Sequence, residues 1–142
     1  SLMTDDSIRV VFHLDPDPLL VGVLRSAVRF QAMQSGLGEA PCTEFAKATE
    51  DVCLESITNQ TEIVGGLDVT LDTFSDRIEV SIRRHGQTIP AVGLESFALS
   101  KIPADERGGF NGLELLSRAD RVLFSTEVGV ARTTLVKFLH PK

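Results

Sequence analysis

Asp51, Glu55 and Asn59 recur every fourth residue, which places two acids and an amide on one face of a helix. Their oxygens are hard donors. Such a set suits Mg²⁺, which keeps several waters and completes its shell with phosphate oxygens. A carboxylate beside that ion can also orient or deprotonate a hydroxyl nucleophile. The simpler reading is the solvated face of an amphipathic helix, because Ala48, Val52 and Ile57 occupy the opposite side.

A second group of residues is glycine-rich. Gly86 follows a strand-like run, and Arg107-Gly108-Gly109-Phe110-Asn111-Gly112-Leu113 leads into a short helical pattern. Glycine lets backbone amides approach phosphate closely, and a helix N-terminus adds a favourable dipole. The segment can therefore cradle a di- or triphosphate, with Arg107 or Lys101 reaching the terminal phosphate. It is not a Walker loop, since no Gly-Lys-Ser/Thr follows. The alternative is a loop closed by ordinary helix-start chemistry. Among the remaining reactive types, His13 reads as a structural strand residue, His85 as a solvated turn residue and His140 as exposed. Cys42 and Cys53 are too few for a disulfide framework, lack metal-binding spacing and read as ordinary buried thiols.

These side chains need elements to hold them. Ile8, Val10, Phe12 and Leu14 alternate with their neighbours and predict a strand. It stops at Asp15-Pro16-Asp17-Pro18, where Asp17 can cap a helix and Pro18 suits its first position. Leu19, Leu20, Val23, Leu24, Ala27, Val28 and Gln31 carry that helix towards Gly36-Leu37-Gly38, with Arg25 and Arg29 on another face. Pro41 or Thr43 opens a second helix bearing Phe45, Ala48, Val52, Cys53 and Ile57, which fades before Gly65-Gly66. Leu67, Val69 and Leu71, then Ile78, Val80 and Ile82, form a hairpin about Ser75-Asp76. From Ala91 to about Gly109 no period persists, and a loop of that length is more often functional than idle. A short helix from Leu113 to Ala119 precedes two alternating runs, Val122 to Thr126 and Thr134 to Phe138, joined around Gly129. The order β-α-α-β-β-loop-α-β-β predicts an α+β two-layer sandwich, a mixed but mostly antiparallel sheet with helices on one face.

The composition agrees with one globular domain over residues 3–142, Ser1-Leu2 reading as an expression scar before Met3. The chain has 142 residues, 42% hydrophobic and 24% charged, which is ordinary for a folded domain. At this size folding buries roughly 68–70% of the unfolded surface. A net charge of -6 argues against direct nucleic-acid binding, which needs a basic surface. No run of about 18 apolar residues and no leader pattern is present, so the expectation is a cytoplasmic protein without membrane contact. Trp and Tyr, common stacking platforms, are absent.

The element order, the stretch Glu55-Ser56-Ile57-Thr58-Asn59, the His85-Gly86 turn and the run Asp105-Glu106-Arg107-Gly108-Gly109 together resemble the GHKL (histidine kinase-like) ATPase superfamily. Within it the chain is most similar to the anti-sigma factor serine kinases of bacterial stress and sporulation switches. The resemblance runs from the first strand through Leu139 and implies a Bergerat-type ATP-binding fold with ATP and Mg²⁺ as cofactors. The family's second helix carries Glu-x-x-x-Asn, whose Asn binds Mg²⁺ and whose Glu helps catalysis. Glu55 and Asn59 match that spacing; the other register puts Asp51 in the Glu position and Glu55 in the Asn position. The resemblance thus implies Glu55 or Asp51 as catalytic, Asn59 and Glu55 as metal ligands, and Asn59, Arg84, Gly86, Lys101, Arg107, Gly109 and Gly112 as nucleotide contacts.

The other motifs depart from the family pattern. Its Asp-x-Gly-x-Gly, whose Asp accepts a hydrogen bond from the adenine amino group, reads Arg84-His85-Gly86-Gln87-Thr88. Arginine has donors only, and losing that acceptor would cost about 1–3 kcal/mol, one to two decades of affinity. Gly-x-Gly-Leu becomes Gly109-Phe110-Asn111-Gly112-Leu113, one residue longer. The Gly-Thr pair before the last strand becomes Ala131-Arg132-Thr133-Thr134, with Gly129 upstream. Two roles are therefore expected. One is an ATP-binding anti-sigma factor that phosphorylates a serine of its partner. The other is a non-catalytic module of the same fold, holding a sigma factor, an anti-sigma antagonist or its own copy through its first helix and the long loop.

Overall fold

The computed structural model describes residues 7–58, 66–84, 112–127 and 130–139. Strand β1 (Ile8–Leu14) gives way to a turn built to start a helix. The Asp17 amide donates to the Asp15 carbonyl (2.7 Å), and its side chain accepts from the Leu19 amide (3.0 Å). Pro18 takes the first position of α1 (Pro18–Gln34), where its missing N–H is not needed. The helix closes on Gly36 at φ 93°, a left-handed position that suits glycine. Gly36 donates to the Met33 carbonyl and Leu37 to that of Ala32, so both last-turn acceptors are satisfied.

Helix α2 (Glu39–Thr58) starts earlier than Pro41 or Thr43 would suggest. Pro41 is its third residue, inside the first turn, where helical N–H groups have no intrahelical acceptor. The strands that follow are β2 (Leu67–Thr73) and β3 (Arg77–Arg84), then after α3 (Gly112–Arg118) come β4 (Arg121–Glu127) and β5 (Val130–Phe138). β5 begins four residues before the expected Thr134, and its first residues pair with the end of β4.

The sheet order is β1-β2-β3-β5-β4, and every adjacent pair is antiparallel. Side chains alternate between faces along each strand. One face carries Leu67, Val69, Leu71, Ile78, Val80, Ile82 and Leu135, all buried. Against it pack Val21, Leu24, Val28 and Ala32 of α1 and Phe45, Ala48, Val52 and Cys53 of α2. α2 crosses β3 and β5, α1 lies beside α2, and α3 packs on α2 and β4. The architecture is the α+β arrangement that the element order implied. Both cysteines are buried, and burial pushes the Cys53 thiol up to about 12.

Two features of the rim matter below. Gly66, directly before β2, sits against β1 so closely that a Cβ there would lie 1.6 Å from the Leu14 carbonyl oxygen. The outer side of α1 presents Leu19 (80% exposed), Val23, Phe30 (62% exposed) and Met33, which share one face by their spacing. Among the described residues no helix is long and apolar enough to cross a membrane.

Candidate functional site

The acid stripe of α2 is only partly a solvated face. Asp51 is half-buried and turned towards α3, with each carboxylate oxygen engaged. Oδ1 accepts from Lys47 Nζ (3.1 Å) one turn earlier, and Oδ2 accepts from Arg118 Nη1 (3.0 Å) at the end of α3. Asp51 in turn holds the Lys47 ammonium above its ordinary range, chiefly through that hydrogen bond. Arg118 also donates through Nε to Glu44 Oε1 (3.0 Å), so one guanidinium spans two acids lying two turns apart on α2. Only about a fifth of the Arg118 side chain is exposed (18%), so water screens these pairs less than open surface pairs.

Glu55 lies one turn beyond Asp51 on the same face, half-buried, with Oε2 shielded from solvent. Its neighbours Leu54 and Ile57 pack on the core, which fixes the helical rotation that sets this carboxylate at the core's margin. Arg84 closes β3 opposite Leu67, and Gly112 opens α3, the helix that packs on α2. Asn59, Gly86, Lys101, Arg107 and Gly109 lie outside the described residues. The structure thus brings Asp51 and Glu55 onto the α3 side of α2, next to the helix begun by Gly112.

Arg118 is the residue that sequence reasoning missed. Its only local signal was a basic residue in the last turn of a short helix, where it complements the dipole. Its partners are 74 and 67 residues away in the chain, so no spacing rule could reveal them. Arg118→Ala should destabilise the protein by about 1–2 kcal/mol, because it strips charge-assisted hydrogen bonds from two acids at once. Arg118→Lys should recover less than half of the loss, since an ammonium lacks the fork that reaches both carboxylates. Urea unfolding of the three proteins measures both.

The donors on this face meet the implied Mg²⁺ only in part. Among the described residues no group of three or more His, Cys, Asp or Glu is arranged to hold a metal. Glu55 offers the hard oxygen that Mg²⁺ prefers, and Mg²⁺ commonly takes only one or two carboxylates beside phosphates. Asp51 does not fit in its present pairs, since two cations already hold its oxygens. Glu55 is thus the described carboxylate whose chemistry suits the ion, while Asp51, which one of the two registers uses as the catalytic acid, is held by Lys47 and Arg118.

No protein-family model matches the sequence, and no curated protein matches it. Solved structures do. The chain is similar to the crystal structure of the RsbU and RsbW domains of Rv1364c from Mycobacterium tuberculosis, with a TM-score of 0.63 at 13% identity. The match covers 94% of this chain and 33% of that one, so the chain spans about a third of its neighbour. At that identity the likeness is one of fold, and it is a fold in which an antiparallel five-stranded sheet carries its helices on one face.

Proposed function

We propose that this chain is a regulatory protein of the anti-sigma factor type, which acts by holding a protein partner such as a sigma factor or an anti-sigma antagonist. The observation that carries the reading is the match over nearly the whole chain to a structure containing an RsbW domain, together with a surface suited to a partner. That surface is the outer face of α1, where Leu19, Val23, Phe30 and Met33 expose an apolar stripe. Contiguous exposed apolar residues on a polar-rimmed helix are the usual mark of a protein interface. A helical segment of the partner would bury them, and the aromatic Phe30 would be its anchor.

In the catalytic form of this reading, Glu55 and Asn59 would hold Mg²⁺, which would offset phosphate charge, and ATP would be the phosphoryl donor. Glu55 or Asp51 accepts the proton of a partner serine, and the apolar margin around Ile57 limits water. Two observations favour a non-catalytic form: Asp51 is saturated by Lys47 and Arg118, and Arg84 stands in the place of the adenine-binding acid.

Two measurements separate these forms from each other and from failure of the whole reading. Phe30→Asp should abolish co-elution with a cognate sigma factor while leaving the melting temperature within a degree or two, since Phe30 is largely outside the core. Retained co-elution would overturn the surface. Mg-ATP should raise the melting temperature by several degrees in the catalytic form, and Glu55→Gln should remove that rise. No rise at millimolar nucleotide leaves the non-catalytic form.

A further inference from the structure

The sheet face away from the helices is not a bland polar surface. Strand register places its side chains in rows. One row runs His13, Asp68, Arg83, Arg132 and Ser125 across all five strands, and the next runs Val11, Thr70, Ser81, Thr134 and Leu123. A cavity of about 230 Å³ opens onto these rows.

Within the first row Arg83 and Arg132 are direct cross-strand partners on the adjacent strands β3 and β5. Side chains so placed stand about 5 Å apart at Cβ, and like charges there repel. The acid in the row pairs with Arg83 and leaves Arg132 unmatched. Asp68 lies on the far side of Arg83, only 12% exposed, with one oxygen 2.7 Å from His13 Nδ1 and the other accepting from Arg83 Nη2 (3.1 Å). Arg132, half-buried on the same face, has no hydrogen-bonding or ionic partner among the described residues. In the adjoining row Ser81 Oγ and Thr134 Oγ1 are 3.0 Å apart. One hydroxyl donates to the other, which leaves the second hydroxyl proton free to point into the cavity.

We infer that Arg83 and Arg132, with the Ser81–Thr134 hydroxyl pair, form a binding site for a phosphate-type oxyanion on the open face of the sheet. The ligand class follows from the donors. Two guanidinium forks and a hydroxyl present more N–H and O–H groups than the two oxygens of a carboxylate can use. A tetrahedral phosphate dianion uses them and cancels the repulsion between the two arginines. The local field supports the choice: the protein carries a net charge of -6, yet the cavity is lined by three arginines, Arg9, Arg83 and Arg132, against two acids, and Asp72 and Asp68 are paired with Arg9 and Arg83. This face lies opposite to α2, so the inference stands apart from the nucleotide reading.

The test uses the full chain and calorimetric titration with inorganic phosphate, methyl phosphate and acetate at matched ionic strength. Wild type should bind phosphate saturably and acetate at least several-fold more weakly. Arg132→Gln should weaken phosphate about tenfold or more, and Arg132→Lys, which keeps the charge without the fork, should fall between. Without phosphate, Arg132→Gln should melt at or above wild type, because it removes a like-charge pair. Tighter binding of methyl phosphate than of phosphate would identify a phosphate ester on a larger molecule as the ligand; the reverse would identify the free ion. Equal phosphate responses in wild type and Arg132→Gln, or no response in wild type beyond that to acetate, would overturn the site.

Discussion

Phe45→Ala should remove about 3–5 kcal/mol of stability, the largest single loss expected of any side chain among the described residues. Phe45 heads the fully buried side chains, with no surface left to solvent, and projects from α2 into the core shared by α1 and the sheet. Truncation to alanine forfeits the ring's transfer free energy and leaves a cavity that a close-packed interior refills only in part. A domain of this size has about 5–15 kcal/mol in total. The variant should therefore melt on the order of 10 °C lower. Calorimetric melting checks the shift, and a drop of only a degree or two would mean the core had collapsed around the gap. The loss should also be independent of salt, which distinguishes it from that of Arg118→Ala.

Gly66→Ala should cost about 3 kcal/mol for a different reason. The obstacle is neither burial nor an unusual backbone angle but contact: the new methyl would stand 1.6 Å from the Leu14 carbonyl oxygen and 2.7 Å from its carbon. Both are backbone atoms of β1, so no flexible side chain can swing aside. The first pair of the β1–β2 ladder, Leu14 with Leu67, would have to separate. Gly22 in α1 provides the control. A Cβ there meets nothing within 4 Å, so Gly22→Ala should stabilise by about 0.5–1 kcal/mol through helix propensity alone. Opposite signs in urea unfolding would establish that position, not glycine content, decides the outcome.

The parts of the fold legible in the sequence were those signalled by neighbours. Asp17-Pro18 announced α1, and the alternation of Leu67 to Leu71 with Ile78 to Ile82 announced the β2–β3 hairpin. Pro41 was misleading because a proline is tolerated anywhere in a first turn, so it marks a helix start only to within a few residues. The site was legible in half. A four-residue period sufficed to put Asp51 and Glu55 on one side of α2, but not to show that Arg118 would arrive there from α3. The open sheet face was hidden for a related reason. Asp68, Arg83 and Arg132 each look like routine outward residues of a half-buried strand. Only the register of three strands makes them one row.

The position of β1 carries a consequence for how the chain assembles. α1 with α2, and β2 with β3, join segments adjacent in sequence, so each closes a short loop. Leu14 and Leu67 become partners only after the entire helical hairpin has been looped out between them. The entropy of that closure grows slowly with length, but it must be met before any rung of the ladder forms. Among the described residues β1 also has a single neighbour, β2, with Ile8, Val10 and Val11 still open to solvent. It should accordingly be among the last strands to join and the first to leave. Amide hydrogens should exchange fastest there and slowest in β3, which is flanked on both sides.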